Sequence, residues 1–194
     1  MLAAMAKQFP TLEPEHRDFI ARQKVFFTGS AAADGRVNVS PKGMDTLRVL
    51  DERTLAYLDL TGSGAETAAH VRAAGRLTFM FCAFEGPPTI LRAYGTGRIL
   101  ARGGENYRDI LAAQFDGVEP PGARQIVALD VELVQTSCGY AVPHMSFVGE
   151  RPSLVNWAAN KGESGLRAYR AEKNRMSLDG LPTGLVEPEI EPAN

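Results

Sequence analysis

Residues 37–67 read VNVSPKGMDTLRVLDERTLAYLDLTGSGAET, and the chain runs on through AAHVRAAGRLTFMF at 68–81. Polar and apolar side chains alternate from Val37 to Ser40, as in a strand with one polar face, and Pro41 is expected to end its ladder. A second strand, Thr54–Leu60, ends at Thr61-Gly62-Ser63-Gly64, where a helix begins and continues to Ala74. Gly75 follows as its stop. One lysine, Lys42, and one glycine-rich helix start therefore lie at neighbouring strand ends. Such a pair suits a phosphate: Lys42 supplies a point charge, and the helix start supplies free N–H groups and the positive end of its dipole. Gly62 and Gly64 let the backbone approach closely.

Outward from this stretch the pattern is mostly extended. Glu13-Pro14-Glu15-His16 opens a helix that fades near Arg22-Gln23, with Phe19 and Ile20 toward the core. Val25–Ala31 reads as a strand, Asp34-Gly35 as a hairpin turn, and Arg36–Ser40 as its return. Thr46–Leu50 is a further short strand. Arg76–Phe84 is apolar almost throughout, which predicts a strand buried on both faces. Thr89–Leu100 is a long strand with Gly95 and Gly97 as bend or bulge points. Gly104–Phe115 reads as a helix and Gln125–Val134 as another alternating strand. After a turn-rich connection at Cys138–Pro143, Pro152–Lys173 is helical, with Gly162 and Gly165 as breaks. The tail from Asn174 has neither period.

Six or seven strands joined by hairpins and short loops, with two short crossing helices, predict a mainly β (α+β) closed antiparallel barrel rather than a doubly wound sheet. The chain reads as a single domain over 1–194: a barrel over 15–137, then a C-terminal helical extension and tail over 138–194.

Composition narrows the function. The 194 residues are 44% hydrophobic and 23% charged, with net charge -2, which is ordinary for a globular protein and leaves no electrostatic footprint for nucleic acid. Cys82 and Cys138 are expected to be free thiols. No apolar run approaches the ~20 residues that cross a bilayer, and MLAAMAKQFPTLEPEH is not patterned as a signal peptide. A cytoplasmic protein without membrane or nucleic-acid partners is expected.

The order of several short motifs resembles the pyridoxamine 5'-phosphate oxidase-related group, the FMN-binding split β-barrels. These motifs are Val37–Gly43, Leu55–Asp59, Gly62–His70, Arg76–Phe81 and Leu91–Gly97. Ser137–Pro143 and Asp179–Pro182 resemble an uncharacterised bacterial branch of that group. The resemblance covers roughly residues 15–185. It implies a Greek-key split barrel that pairs as a homodimer with two flavins in clefts between subunits, and a basic strand end on the phosphate. The next strand end and helix start then supply polar contacts. Carried onto this chain, the cofactor-binding set is Asn38, Val39, Ser40, Lys42, Asp59, Leu60, Gly62, Ser63, Gly64, Glu66, Thr67 and Arg92. No catalytic residue stands out and no metal is expected.

The chain departs from the oxidase proper in three places. Val37 stands where that enzyme has an arginine, with Arg36 one step off and so on the opposite strand face. Gly62-Ser63-Gly64-Ala65 lacks the base found there in the oxidase. The C-terminal Arg-x-His-Asp-Arg clamp is missing, so oxidation of vitamin B6 phosphates is not expected.

Individual residues carry alternatives. Asn38 and Ser40 share a face that lines a flavin cleft or meets water. Asp59 touches ribityl hydroxyls or starts a turn. Glu66 is explained by the helix dipole and points away from a phosphate. His70 is a packed helix residue or reaches a ligand. Arg92, mid-strand among apolar neighbours, needs a phosphate or carboxylate partner if buried. Cys138 lacks an activating base. Tyr140, His144 and Trp157 cover a flavin from the partner subunit, or pack locally.

The reading that results is a homodimeric FMN-binding oxidoreductase of unassigned substrate, with NAD(P)H as a candidate electron donor. Its rivals are a deazaflavin (F420)-dependent reductase and a non-catalytic flavin or haem carrier or sensor.

Overall fold

In the computed structural model, residues 6–185 are described. The elements, in chain order, are β1 (Lys7–Phe9), α1 (Pro14–Arg22), β2 (Phe26–Ala31), β3 (Asn38–Lys42), β4 (Leu47–Val49), β5 (Thr54–Leu60) and α2 (Glu66–Ala74). They continue with β6 (Arg76–Cys82), β7 (Thr89–Ala101), α3 (Glu105–Gln114), β8 (Ala123–Cys138) and α4 (Ser153–Lys173). The strands form one antiparallel sheet in the order β3-β2-β6-β7-β8-β5-β4, with β1 added along the far half of β8. The sheet curls until its ends, β3 and β4, approach without pairing, which makes a split barrel rather than a closed one.

Its inside is filled from alternate positions. Phe26, Tyr57, Phe79 and Phe81 cluster with ring centroids 5.5–5.8 Å apart, beside Leu55, Leu91, Val127 and Leu129. Burying each such side chain stabilises the fold by roughly 1.5–3 kcal/mol. The long β7 and β8 bend around this core at a bulge between Tyr94 and Gly95. A Cβ at Gly95 would stand 1.9 Å from the Asp130 carbonyl oxygen, so only glycine fits there. Helix α2 ends at Gly75, with φ +67, as its stop signal predicts.

Several expectations are corrected. Among the described residues there are eight strands, not six or seven: β1 has too few residues to show a period, and its pairing with β8 is a tertiary contact. Strand β3 begins at Asn38, and residues 32–37 form a wider loop around Asp34-Gly35 than a two-residue turn. Pro41 does not end β3. It pairs with Phe27, and because β3 is an edge strand the missing N–H faces no neighbour. Strand β6 is not buried on both faces: Thr78 and Met80 are half-exposed while Leu77, Phe79 and Phe81 face the core. Strand β8 starts earlier and runs further than the alternation predicts. Helix α4 kinks at Gly162, with φ +65, whereas Gly165 stays helical. Among the described residues no helix is long and apolar enough to cross a membrane.

Candidate functional site at the seam of the barrel

Where the curled sheet fails to close, β3 faces the end of β5 across a cavity of about 410 Å³. Strand alternation turns Asn38, Ser40 and Lys42 inward, and leaves Val37 and Val39 exposed at 73% and 65%. The inward polar row is tied together. Ser40 Oγ donates to Asn38 Oδ1 (3.1 Å), and Asn38 Nδ2 donates to Ser30 Oγ and Thr67 Oγ1 (3.2 Å each). Ser30 Oγ in turn meets buried His70 at Nδ1, 3.1 Å away. The amide of Asn38 is thus fixed by groups from β2, β3 and α2.

The opposite wall is the Thr61–Gly64 turn and the start of α2. A Cβ at Gly62 or Gly64 would meet nothing within 4 Å, so both glycines border open space. The α2 N-cap is Ala65, and among the described residues no side chain caps the helix; its first N–H groups are left to whatever occupies the cavity. The turn is held from behind. Arg124 Nη2 donates to the Gly64 carbonyl (3.0 Å), Asn174 Nδ2 to that of Gly62 (3.1 Å), and Arg170 Nη1 to Thr61 Oγ1 (3.2 Å).

Two cations and one carboxylate set the electrostatics. Asp59 is 3% exposed and accepts from Arg124 Nε (2.7 Å), Gln125 Nε2 (2.8 Å) and Lys42 Nζ (3.3 Å). Burial alone would raise its pKa. Arg124, then Lys42, and the hydrogen bonds from Arg124 and Gln125 outweigh that and hold it at about 2. Lys42 also lies 5.2 Å from the ring centroid of Tyr57, whose own ionisation is pushed far up by burial and then by Asp59. Outside this cluster a second carboxylate, Glu66, lies at the helix start; it lines the cavity and accepts the Leu178 N–H at 3.0 and 3.2 Å.

Of the expected cofactor set, Asn38, Ser40, Lys42, Asp59, Leu60, Gly62, Ser63, Gly64, Glu66 and Thr67 line this cavity. Val39 and Arg92 do not: Val39 points outward, and Arg92 lies on β7, donating to Ser137 Oγ at 3.4 Å. Asp59 is a buried counter-ion rather than a turn residue. His70 is a packed, hydrogen-bonded histidine. Tyr140 is exposed, and Trp157 packs edge-on against Tyr169 at 5.0 Å. Lining or supporting residues that escape the sequence reading include Arg124, Arg170, Asn174 and Leu154. Arg124 brings a base to the Gly62–Ala65 turn, from a strand 60 residues beyond Gly64. Its only sequence signal is a charged residue beside apolar Ile126-Val127, at a strand start. Arg36, one step off the family position, is committed elsewhere: its backbone N–H and its guanidinium both bond Asp179 in the tail. Among the described residues no cluster could hold a metal.

The curled sheet and this anion-adapted seam define a split-barrel protein with a small-molecule cavity. The chain belongs to the pyridoxamine 5'-phosphate oxidase family. The family model matches residues 12–138. The pyridoxamine 5'-phosphate oxidase family protein ustO of Aspergillus flavus is 38% identical over 193 residues, spanning 90% of this chain and 76% of that protein. Two solved structures share the fold. A histidine-to-alanine variant of HupZ from Group A Streptococcus has a TM-score of 0.51 at 20% identity, covering 64% of this chain and 98% of that one. A putative pyridoxamine 5'-phosphate oxidase from Lactobacillus delbrueckii has a TM-score of 0.51 at 22% identity, covering 65% and 94%.

Proposed function

We propose that the chain is an FMN-binding oxidoreductase whose flavin lies at the interface of a homodimer. The observation that carries the reading is the convergence of the uncapped α2 start with Lys42 and Arg124 on one open cavity. The donor set fits a flavin mononucleotide tail. Uncapped N–H groups and Lys42 suit its phosphate; the fixed Asn38–Ser40–Thr67 row suits polyol hydroxyls. The cavity is of the size that small-ligand sites have. Among the described residues no histidine or cysteine lines it, so haem would find neither of those axial ligands there.

Flavin, when bound, supplies hydride or single-electron chemistry. The protein's share is binding and orientation. Lys42 and the α2 N–H groups hold the anion. Asn38, clamped by Ser30 and Thr67, presents an amide of fixed orientation. Arg124 keeps the Gly62–Gly64 turn open from behind. The outward apolar side chains Val37 and Val39, at and just before the edge strand β3 that borders the cavity, offer surface to a second copy.

Titration of flavin-free protein with FMN tests the reading. Lys42→Ala should weaken binding roughly ten- to hundredfold, by loss of a charge-assisted contact worth about 1.5–3 kcal/mol. Sedimentation of the untagged protein should give a dimer. A monomer that binds no flavin, or a mass spectrum of the released molecule showing a deazaflavin or haem, would replace the proposal.

A further inference from the structure

A second cavity, about 980 Å³, adjoins the first and shares the wall formed by residues 41–44 and by Leu154. Its floor is the end of α1, the start of β2 and the β6–β7 turn. Its cover is residues 139–152, fourteen residues with no helix or strand. Loops of that length inside a compact chain are uncommon, and are usually either functional or linkers. This one lies along the β6–β7 turn: Met145 N–H donates to the Phe84 carbonyl (3.0 Å) and Phe147 N–H to Glu85 Oε1 (3.2 Å). Met145, Phe147 and Val148 nonetheless stay 58%, 49% and 99% exposed. A segment that neither packs away its apolar side chains nor leaves the surface behaves as a cover for something not supplied by the chain.

The wall between the two cavities is strained. Met44 and Asp45 both have left-handed backbones, φ +61 and +52, although neither is glycine. Consecutive residues of this kind are uncommon and concentrate at ligand sites. Here they turn the chain sharply after Lys42, so that Met44 borders both cavities.

The lining gives the ligand's chemistry. Phe19, Val25, Met44, Phe84, Met145 and Phe147 make the walls apolar. The rim carries Arg22, Lys24 and Arg151 against Glu85 and Glu150. Glu85 is engaged by Phe147, and Lys24 lies 5.7 Å from the Phe147 ring centroid. The side chains of Arg22 and Arg151 make no hydrogen bond or ion pair among the described residues.

We propose that this second chamber is the substrate site, and that it takes a molecule with an apolar body of aromatic size and one anionic group, held under the 139–152 strap and paired with Arg151. The word substrate rests on the first cavity being the flavin's; the binding site itself does not.

The test uses the full chain, with flavin content recorded for each preparation. The probe is anilinonaphthalene sulfonate, which has both features, followed by displacement with phenylbutyrate and with its uncharged amide. Saturable binding near one per chain is expected, with the acid displacing at least about tenfold better than the amide. Arg151→Gln should remove that preference while leaving amide affinity unchanged, and a Met145→Ser/Phe147→Ser double variant should weaken both. Phenylbutyrate should also perturb the visible spectrum of flavin-loaded protein. Absence of a saturable site, equal displacement by acid and amide, or an unchanged preference in Arg151→Gln would overturn the proposal. Probe binding that behaves as expected in protein unable to bind FMN would preserve the site and sink the flavin reading instead.

Discussion

Replacing Asp59 by Asn separates the two things the cavity asks of its charges. The side chain keeps its shape and loses its charge, so Arg124, with 4% of its side chain exposed, loses the carboxylate it is paired with. Leaving one member of a buried pair unmatched costs about 3–5 kcal/mol. A second route to the size starts from the protonation equilibrium. A carboxyl held at about 2 instead of 3.8 is worth about 2–3 kcal/mol at neutral pH. Urea unfolding of flavin-free protein should therefore show a loss of about 2–5 kcal/mol. Ligand binding should move the other way. The local charge becomes one unit more positive, and at an effective dielectric near ~20 that is worth about 1–2 kcal/mol toward a phosphate. FMN should bind roughly tenfold more tightly, and stabilise the variant more than it stabilises the parent. Isothermal titration and unfolding with and without FMN read both effects. A variant of unchanged stability would show that the Arg124–Asp59 pair is not formed. A tenfold loss of FMN affinity would show that Asp59 is itself a ligand to the cofactor's hydroxyls.

Acid should expose the same pair. The folded-state pKa of Asp59 is depressed, so its contribution is complete above about pH 4 and disappears as pH falls toward 2; the parent should lose about 2–3 kcal/mol over that window more than Asp59→Asn does, measured by urea midpoints at each pH. Asn174→Ala leaves Arg124 Nη1 and the Gly62 carbonyl without these partners; it should cost about 2–4 kcal/mol and weaken FMN binding in the same titration. Flavin-loaded protein should form pyridoxal phosphate from pyridoxine phosphate far below the ~10 s⁻¹ median of enzymes, because the tail that carries a basic clamp in the oxidase proper here carries Asp179, already bonded to Arg36; turnover near that median would refute it.

The sequence makes one wall of the cavity legible and hides the other. Alternation in β3 and the glycines before α2 are local signals, so Asn38, Ser40, Lys42 and the Gly62–Gly64 turn are picked out from the chain alone, whereas Thr67 comes from the family resemblance. Arg124 is not, because its place depends on the register that sets Gln125 opposite Asp59, and register is a property of two strands. Pro41 misleads for a related reason: whether proline ends a ladder depends on whether a neighbour needs its N–H, and only the strand order shows that β3 has none on that side. The tail misleads most. It has no period, yet Asn174 and Thr183 are fully buried and Leu185 packs on Ala65 and Ala68. Its order comes from hydrogen bonds made by single residues, Thr183 Oγ1 to the Asn174 carbonyl among them, which leave no pattern to read.

That tail alters what a substitution in the matched region means. Residues 12–138 contain Lys42 and the α2 start, but the turn between them is held by Arg170 and Asn174, and the Glu66 carboxylate at the cavity's edge accepts the Leu178 N–H. The C-terminal segment thus shapes one wall of the cavity. Arg36 serves the tail as well. Val37 stands where the oxidase proper has an arginine, and Arg36, one step off, pins the tail through Asp179. The second cation lining the cavity comes instead from Arg124 on β8. That cation is buried and already paired with Asp59, so it acts through its field and through the Gly64 carbonyl it holds, while Lys42 is the more exposed of the two.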